Sequence, residues 1–276
     1  MVDILQDSSP AKLIMAIEEN LFSWIPVFGK LGRELMNDPP GVKRSTTDIP
    51  SALFNSIMDV QLAPEQVDET VQFIVSDARS RNVPVLWWTG PTTQPANLGE
   101  HLEKYGFIHD DEAPGMAVDL AKLKESLPAP AGLSIQLAQD DASWHQWSST
   151  MALGFEIPSS ADFIVDAWFN LLRLANPETT LAYIGWLNGK PVATSLLFLA
   201  ADVAGIYAVA TIPEARRKGI GAWMTLYPLR QARFMGYKTG ILQASEMGLS
   251  VYRSLGFQEY CKINGYLWRP ESETAV

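Results

Sequence analysis

Apolar positions recur at helical spacing from near the start of the chain. After Ser9-Pro10, a cap followed by a residue suited to the first helical position, Leu13, Ile14, Ile17 and Leu21 fall on one face, predicting a helix to about residue 20. The polar stretch "NDPPGVKRSTTD" then reads as a loop, and "SALFNSIMDV" as a strand in an irregular region. In "PEQVDETVQFIVSDARSRN", Val67, Val71, Ile74, Val75 and Ala78 again share a face, so a second helix is expected. "VPVLWWTG" is an apolar run ended by Gly90-Pro91 and predicts a buried strand. "NLGEHLEKYGF" predicts a short helix closing on Gly106, and residues from about 115 to 120 a further strand.

Pro and Gly crowd "KESLPAPAGLS", which separates a helix-like run from the strand pattern "LSIQLA" and is the best linker; a boundary near Pro130 divides the chain into residues 1–130 and 131–276. The second part predicts helices over about 143–154 and 160–175. A hairpin follows in "LAYIGWLNGKPVATSLLFLA", because Asn188-Gly189 suits the two positive φ angles of a tight turn. The strand "GIYAVAT", a helix over about 219–235, the strand "KTGILQAS", the helix "GLSVYRSLGF" and a last strand "CKINGYLWR" complete the pattern. Pro228 falls inside the longest of these helices, where a missing N–H predicts a bend.

The two parts end alike. Gly106-Phe107 and Gly256-Phe257 stand 150 positions apart, as do Gly115 and Gly265, and each pair closes a strand–helix–strand order. This points to an internal duplication. The fold class expected is α/β (α+β), with two domains of one kind.

Composition narrows the chemistry. The 276 residues include 31 acidic and 21 basic side chains, a net charge of −10, so the field of the whole molecule repels nucleic acid and anionic membrane. Any anion must be captured locally. Cys261 is the single cysteine, which removes intrachain disulfides and cysteine-based metal centres, and His101, His109 and His145 are too scattered to form a metal cluster. Acids at Asp3, Asp7, Glu18 and Glu19 interrupt the N-terminal apolar run, unlike a secretory signal, and no run approaches the ~18 apolar residues of a membrane span. A soluble, cytoplasmic protein is the expectation.

Against that acidity stands "TIPEARRKGIGAWM", residues 211–224, where three cations precede Gly-x-Gly and a helix. It lacks the Gly-Lys-Ser/Thr of a P-loop, and a dinucleotide fingerprint needs a glycine where Met224 stands. What remains is a strand, a turn and a helix N-terminus whose outward amides carry partial positive charge, with glycines that let a diphosphate approach.

This stretch resembles the coenzyme A pyrophosphate loop of the GCN5-related N-acetyltransferases (GNAT), V-x-P-x-x-[RQ]-x-x-G-x-[GA]. Pro213, Arg216, Gly219 and Gly221 match at every spacing, with Thr211 in place of the usual Val. "YRSLGF", Tyr252 to Phe257, resembles the family's Y-x-x-x-G-F segment. The resemblance implies two GNAT-like domains, each a mixed, mostly antiparallel sheet flanked by helices, with central strands splayed in the C-terminal one to admit the pantetheine arm of acetyl-CoA. It implies cofactor contacts from Val209, Ala210, Thr211, Arg216, Arg217, Lys218, Gly219, Ile220, Gly221, Ala222, Ser245 and Tyr252. Ser245 stands where the family commonly has Asn. Tyr252 is implied as the acid that protonates the departing thiolate. In the first part "LAPEQVDETVQ" lies opposite the loop, with acids for cations and no glycine pair, and Leu102 replaces Tyr252. Residues 1–130 are therefore expected to be a degenerate copy without a cofactor loop.

The activity implied is direct acetyl transfer to an unidentified small-molecule or peptide amine in a ternary complex. Backbone amides near Val209–Thr211 would hold the oxyanion. "GIYAVAT" contains no carboxylate, which leaves Glu246, Glu156 or a relayed water as base. A homodimer is admitted but not required. Two rival readings are a non-catalytic acyl-CoA-binding or regulatory module and an acyltransferase using a different acyl-CoA.

Overall fold

The computed structural model describes residue 5 and residues 8–36 and 38–270. The acids Asp3 and Asp7 and the first residue of "NDPPGVKRSTTD" lie outside the described residues. Along the chain run α1 (Pro10–Phe22), α2 (Ile25–Gly29), β1 (Arg33–Met36), β2 (Lys43–Thr46), β3 (Ser56–Met58), α3 (Val67–Arg81), β4 (Val85–Thr89), α4 (Leu98–Lys104) and β5 (Ile108–Asp119). There follow β6 (Leu133–Leu137), α5 (Asp141–Gly154), α6 (Phe163–Leu174), β7 (Thr180–Leu187), β8 (Lys190–Ala200), β9 (Val203–Thr211), α7 (Ile220–Phe234), β10 (Thr239–Gln243), α8 (Glu246–Leu255) and β11 (Gln258–Trp268).

Local chemistry accounts for most boundaries. Asp140 caps α5 by accepting from Ser143 N at 2.8 Å, and Ser245 caps α8 by accepting from Gly248 N at 3.2 Å. Asn82 and Gly256 end α3 and α8 in the left-handed region. Asn188 and Gly189, with φ of 50° and 78°, make the β7–β8 turn.

The structure differs from the sequence pattern in several places. "NDPPGVKRSTTD" is not a loop throughout, because it contains β2. The pattern Lys-Arg-Ser-Thr has no apolar alternation, yet Arg44, Ser45 and Thr46 are buried. Their polar groups are met inside: Arg44 Nη1 reaches Asp77 at 2.7 Å, its Nε donates to Asp38 O, and Ser45 Oγ donates to Phe54 O. β5 begins at Ile108, seven residues before Gly115, through an exposed acidic run. α2 gave no periodic signal in five residues. Pro228 is accommodated within α7, which runs as one element from Ile220 to Phe234.

The chain divides into two compact units that interleave in sequence: residues 1–21 with 115–260, and residues 22–114 with 261–276. In the first unit the sheet order is β5-β10-β9-β8-β7-β6, with β9 and β10 parallel and the other pairs antiparallel. In the second it is β1-β2-β3-β4-β11, with β3 and β4 parallel and the others antiparallel. Each parallel pair is joined by a 15-residue helix, α7 or α3, and each is followed by a five-residue strand and a shorter helix. The strand after that helix goes elsewhere: β5 follows α4 but pairs with β10, and β11 follows α8 but pairs with β4. A cut at residue 130 would thus separate β5 from β10, its partner through five registered pairs.

The first unit's core joins Met224, Leu226 and Leu229 of α7 to Leu197 and Leu199 of β8, Leu242 of β10 and Leu255 of α8. On α1, Asn20 is fully buried, donates Nδ2 to Ala200 O at 2.8 Å, and accepts from the Tyr207 hydroxyl at 2.7 Å. A Cβ on Gly205 would fall 2.2 Å from Asn20 Oδ1, so this glycine lets the helix close onto β9. Asn20→Ala should cost about 1–3 kcal/mol by stranding these buried groups, read as a lower denaturant midpoint with an unchanged slope. A midpoint equal to wild type would show that α1 is held by its apolar face alone.

Candidate active site

β9 and β10 are registered only at Ala204↔Gly240 and Gly205↔Ile241. Beyond that point β9 stays with β8 as far as Thr211, and β10 stays with β5 as far as Gln243. The facing edges from Ile206 and Leu242 onward therefore part, and their N–H and C=O groups have no ladder partner across the gap. β9 also carries a β-bulge, in its ladder with β8. Thr194 faces Ala210 and Leu196 faces Tyr207, which sets Ala208 and Val209 both opposite Ser195. Ala208 has φ of +46°, and its carbonyl accepts from Thr194 Oγ1 at 3.0 Å. The bulge re-aims the backbone of Val209, Ala210 and Thr211.

β9 leads through a short turn, Pro213–Ala215, to Arg216, Arg217, Lys218 and Gly219. Arg217 and Gly219 are left-handed, at φ of 61° and 78°. Gly219 is the N-cap of α7 and supplies no side-chain acceptor, so the amides of Ile220, Gly221 and Ala222 have no side-chain cap. A Cβ on Gly221 would meet nothing nearer than Thr211 Oγ1 at 3.9 Å, and one on Gly219 only Pro130 Cγ at 4.0 Å. Packing within the chain does not require glycine at 221. The missing side chain leaves room in front of the helix amides, which fits a diphosphate.

The three cations differ in their placement. Arg217 and Lys218 are exposed, with Lys218 Nζ on Glu214 O at 2.9 Å. Arg216 turns toward the protein, donating Nε to Thr211 O at 3.1 Å and Nη2 to Gly154 O at 2.9 Å, and pairing Nη1 with Glu156 at 2.6 Å. Glu156, expected as a base candidate, is thereby tied to the loop.

Across the gap, β10 runs into α8. Ser245 Oγ is the cap of that helix, and Glu246, its first residue, is exposed. Tyr252 is 9% exposed, packs edge-on against Phe257, and has its phenol pushed up to about 12 by burial. It is therefore a proton donor throughout the neutral range. Residues 209–211 and 216–222 are joined through the Pro213–Ala215 turn and the Arg216–Thr211 bond, while Ser245, Glu246 and Tyr252 lie at and on α8, after β10. No sequence signal marks Ala208, because alanine does not advertise a positive φ as glycine does, or the inward turn of Arg216.

The corresponding parallel pair of the other unit, β3 and β4, is followed by no such parting. Gln94 N donates to Val60 O at 2.9 Å, Leu62 N to Gln94 O at 3.0 Å, and Gln61 Nε2 to Thr92 O at 2.8 Å. The chain after β4 turns back and occupies the edge beyond β3. The turn before α3 carries Glu65, and the first turn of α3 carries Asp68 and Glu69.

Residues 142–257 match the model of the acetyltransferase (GNAT) family. Among solved structures, a GCN5-related N-acetyltransferase from Kribbella flavida is similar at 20% identity, covering 95% of this chain and 98% of that one, with a TM-score of 0.71. A second, from Sphaerobacter thermophilus, is 15% identical over 97% and 98%, at 0.60. A tandem GNAT protein from the clavulanic acid biosynthesis pathway is 12% identical over 96% and 95%, at 0.56. At such identities the TM-scores show a shared fold alone. No curated protein matches in sequence. Among the described residues no helix is long and apolar enough to cross a membrane.

Burial sets the direction of a pH effect at Tyr252. Its folded pKa, about 12, lies above the ~10 of an unfolded tyrosine, so its contribution to stability is complete below pH ~10 and is lost as pH rises through about 12. Between those values wild type should lose more stability than Tyr252→Phe, by on the order of 2 kcal/mol in denaturant titrations. Equal losses would place the phenol in contact with water.

Proposed function

We propose that this chain, whose residues 142–257 form a GNAT-family acetyltransferase domain, is an N-acetyltransferase that moves an acetyl group from acetyl-CoA to a primary amine within a ternary complex. Members of the family are enzymes that transfer acyl groups. The observation that carries the reading is the parting of β9 from β10 directly beside a helix N-terminus whose glycines leave its amides open.

In this reading the amides of Ile220, Gly221 and Ala222 hold the diphosphate, and Arg217 and Lys218 add charge at its rim. Arg216 and Gly219 shape the turn, and the exposed edge of β9 aligns the pantetheine arm. Acetyl-CoA supplies the acetyl group as a thioester. The N–H groups of Val209, Ala210 and Thr211, re-aimed by the bulge, stabilise the oxyanion that develops on its carbonyl. The Tyr252 hydroxyl gives its proton to the departing sulfur. Glu246, beside Ser245 at the start of α8, takes the ammonium proton through water; Glu156 is less suited, since its carboxylate is paired with Arg216. The part of residues 1–130 that lies in the second unit, residues 22–114, acts as a degenerate copy, as the filled edge beyond β3 and the acids in the first turn of α3 support. The protein works in the cytoplasm on a small-molecule or peptide amine, and the buried phenol favours an enzyme over a passive acyl-CoA carrier.

Calorimetry should find one acetyl-CoA site per chain. Gly221→Val should weaken binding about ten- to a hundredfold with little effect on ligand-free stability, since its side chain enters space that the chain leaves open. Two equivalent sites would overturn the degenerate copy, and unchanged affinity would remove the loop from cofactor binding.

Tyr252→Phe keeps the packed ring and deletes the donor. Coenzyme A affinity should stay within about threefold, while the rate of thiol release with an accepted amine falls at least ~10-fold. Parallel loss of both would make Tyr252 a packing residue.

A further inference from the structure

Arg216 occupies the arginine position of the loop, where a cation beside a diphosphate is expected to act through its charge. Its guanidinium instead has three partners within the protein: Thr211 O at the end of β9, Gly154 O at the end of α5, and the Glu156 carboxylate. The segment it grips is held close. A Cβ on Gly154 would stand 2.7 Å from Ala210 Cβ and 3.2 Å from Thr211 N, so α5 ends flush against β9. Glu156 has φ of +56°, a conformation that residues with a side chain rarely adopt, and its amide bonds back to Leu153 O while that of Ile157 bonds to Ala152 O. A strained residue persists where its surroundings fix it, and here the ion pair is one of those constraints.

We infer that Arg216 and Glu156 form a strut that clamps the cofactor loop to the end of α5, making Glu156 a positioning residue that strengthens the binding of an anionic cofactor. The inference rests on the coenzyme A reading above. Its sign is what makes it testable. A carboxylate near a polyanion site repels the ligand, so on charge alone its removal should tighten binding. A strut predicts the opposite, because the loop loses its brace. The forked geometry matters as well: a lysine keeps the charge of Arg216 but cannot donate to three acceptors set around a plane.

The experiment is calorimetric titration of coenzyme A into the full chain as wild type, Glu156→Gln, Arg216→Lys, Arg216→Gln and the double variant Glu156→Gln/Arg216→Gln. Hydrogen exchange of the ligand-free proteins is measured in parallel. Glu156→Gln should weaken coenzyme A binding about two- to fivefold, the range of a partly exposed ion pair. Arg216→Lys should fall close to Arg216→Gln, and the double variant should be no weaker than Arg216→Gln within about twofold, since both changes break one element. In the free protein, Arg216→Gln should speed exchange at the amides of residues 155–157 together with those of 215–219. Tighter or unchanged binding by Glu156→Gln, or wild-type behaviour of Arg216→Lys, overturns the strut. If the wild type binds no coenzyme A, the cofactor reading fails by itself, and unchanged exchange at residues 155–157 in Arg216→Gln then overturns the strut separately.

Discussion

The parting of two parallel strands is the constraint on which the rest of this structure turns. A strand edge that gives up its ladder exposes N–H and C=O groups that must be met by solvent or a ligand, and it survives only if each strand is secured on its other side. β9 is secured by β8 through Thr211 and β10 by β5 through Gln243. The brace on β10 comes from the first half of the chain, since β5 follows α4. The sheet that opens for the site therefore depends on a strand encoded more than a hundred residues before β10.

The other unit shows what the same topology does without a gap. Its strands follow the same order of parallel and antiparallel pairs, and its crossover helix has the same length. The segments after β3 and β4 then bond to each other, so the backbone is satisfied internally. The helix start it leads to is acidic, which complements the helix dipole from within and leaves nothing for an external anion to neutralise.

A protein of net charge −10 meets a polyanion only through local devices. The uncapped start of α7 and the exposed Arg217 and Lys218 supply attraction over the first turn. Arg216 is turned inward, onto Thr211 O, Gly154 O and the Glu156 carboxylate. Division of labour among three adjacent cations follows from backbone geometry: the left-handed φ of Arg217 separates the direction of its side chain from that of its neighbour.

Much of this was legible in the chain itself. The alternation of apolar residues, the caps, and Asn188-Gly189 placed nearly every element of the second half, because those signals act within a turn or two of the residues that carry them. Pro213, Arg216, Gly219, Gly221 and Tyr252 marked the loop and the phenol for the same reason: each is needed for its own local geometry or chemistry. β2 was missed because Arg44 and Ser45 are buried by partners at Asp77 and Phe54, and a polar run does not announce partners that folding brings to it. The exchange of β5 and β11, the left-handed Ala208 and the grip of Arg216 on Gly154 and Glu156 likewise belong to the tertiary structure. Each joins segments from 14 to more than a hundred residues apart, and pairing beyond a helical turn is decided by which edges and which buried polar groups remain unsatisfied once the local elements have formed.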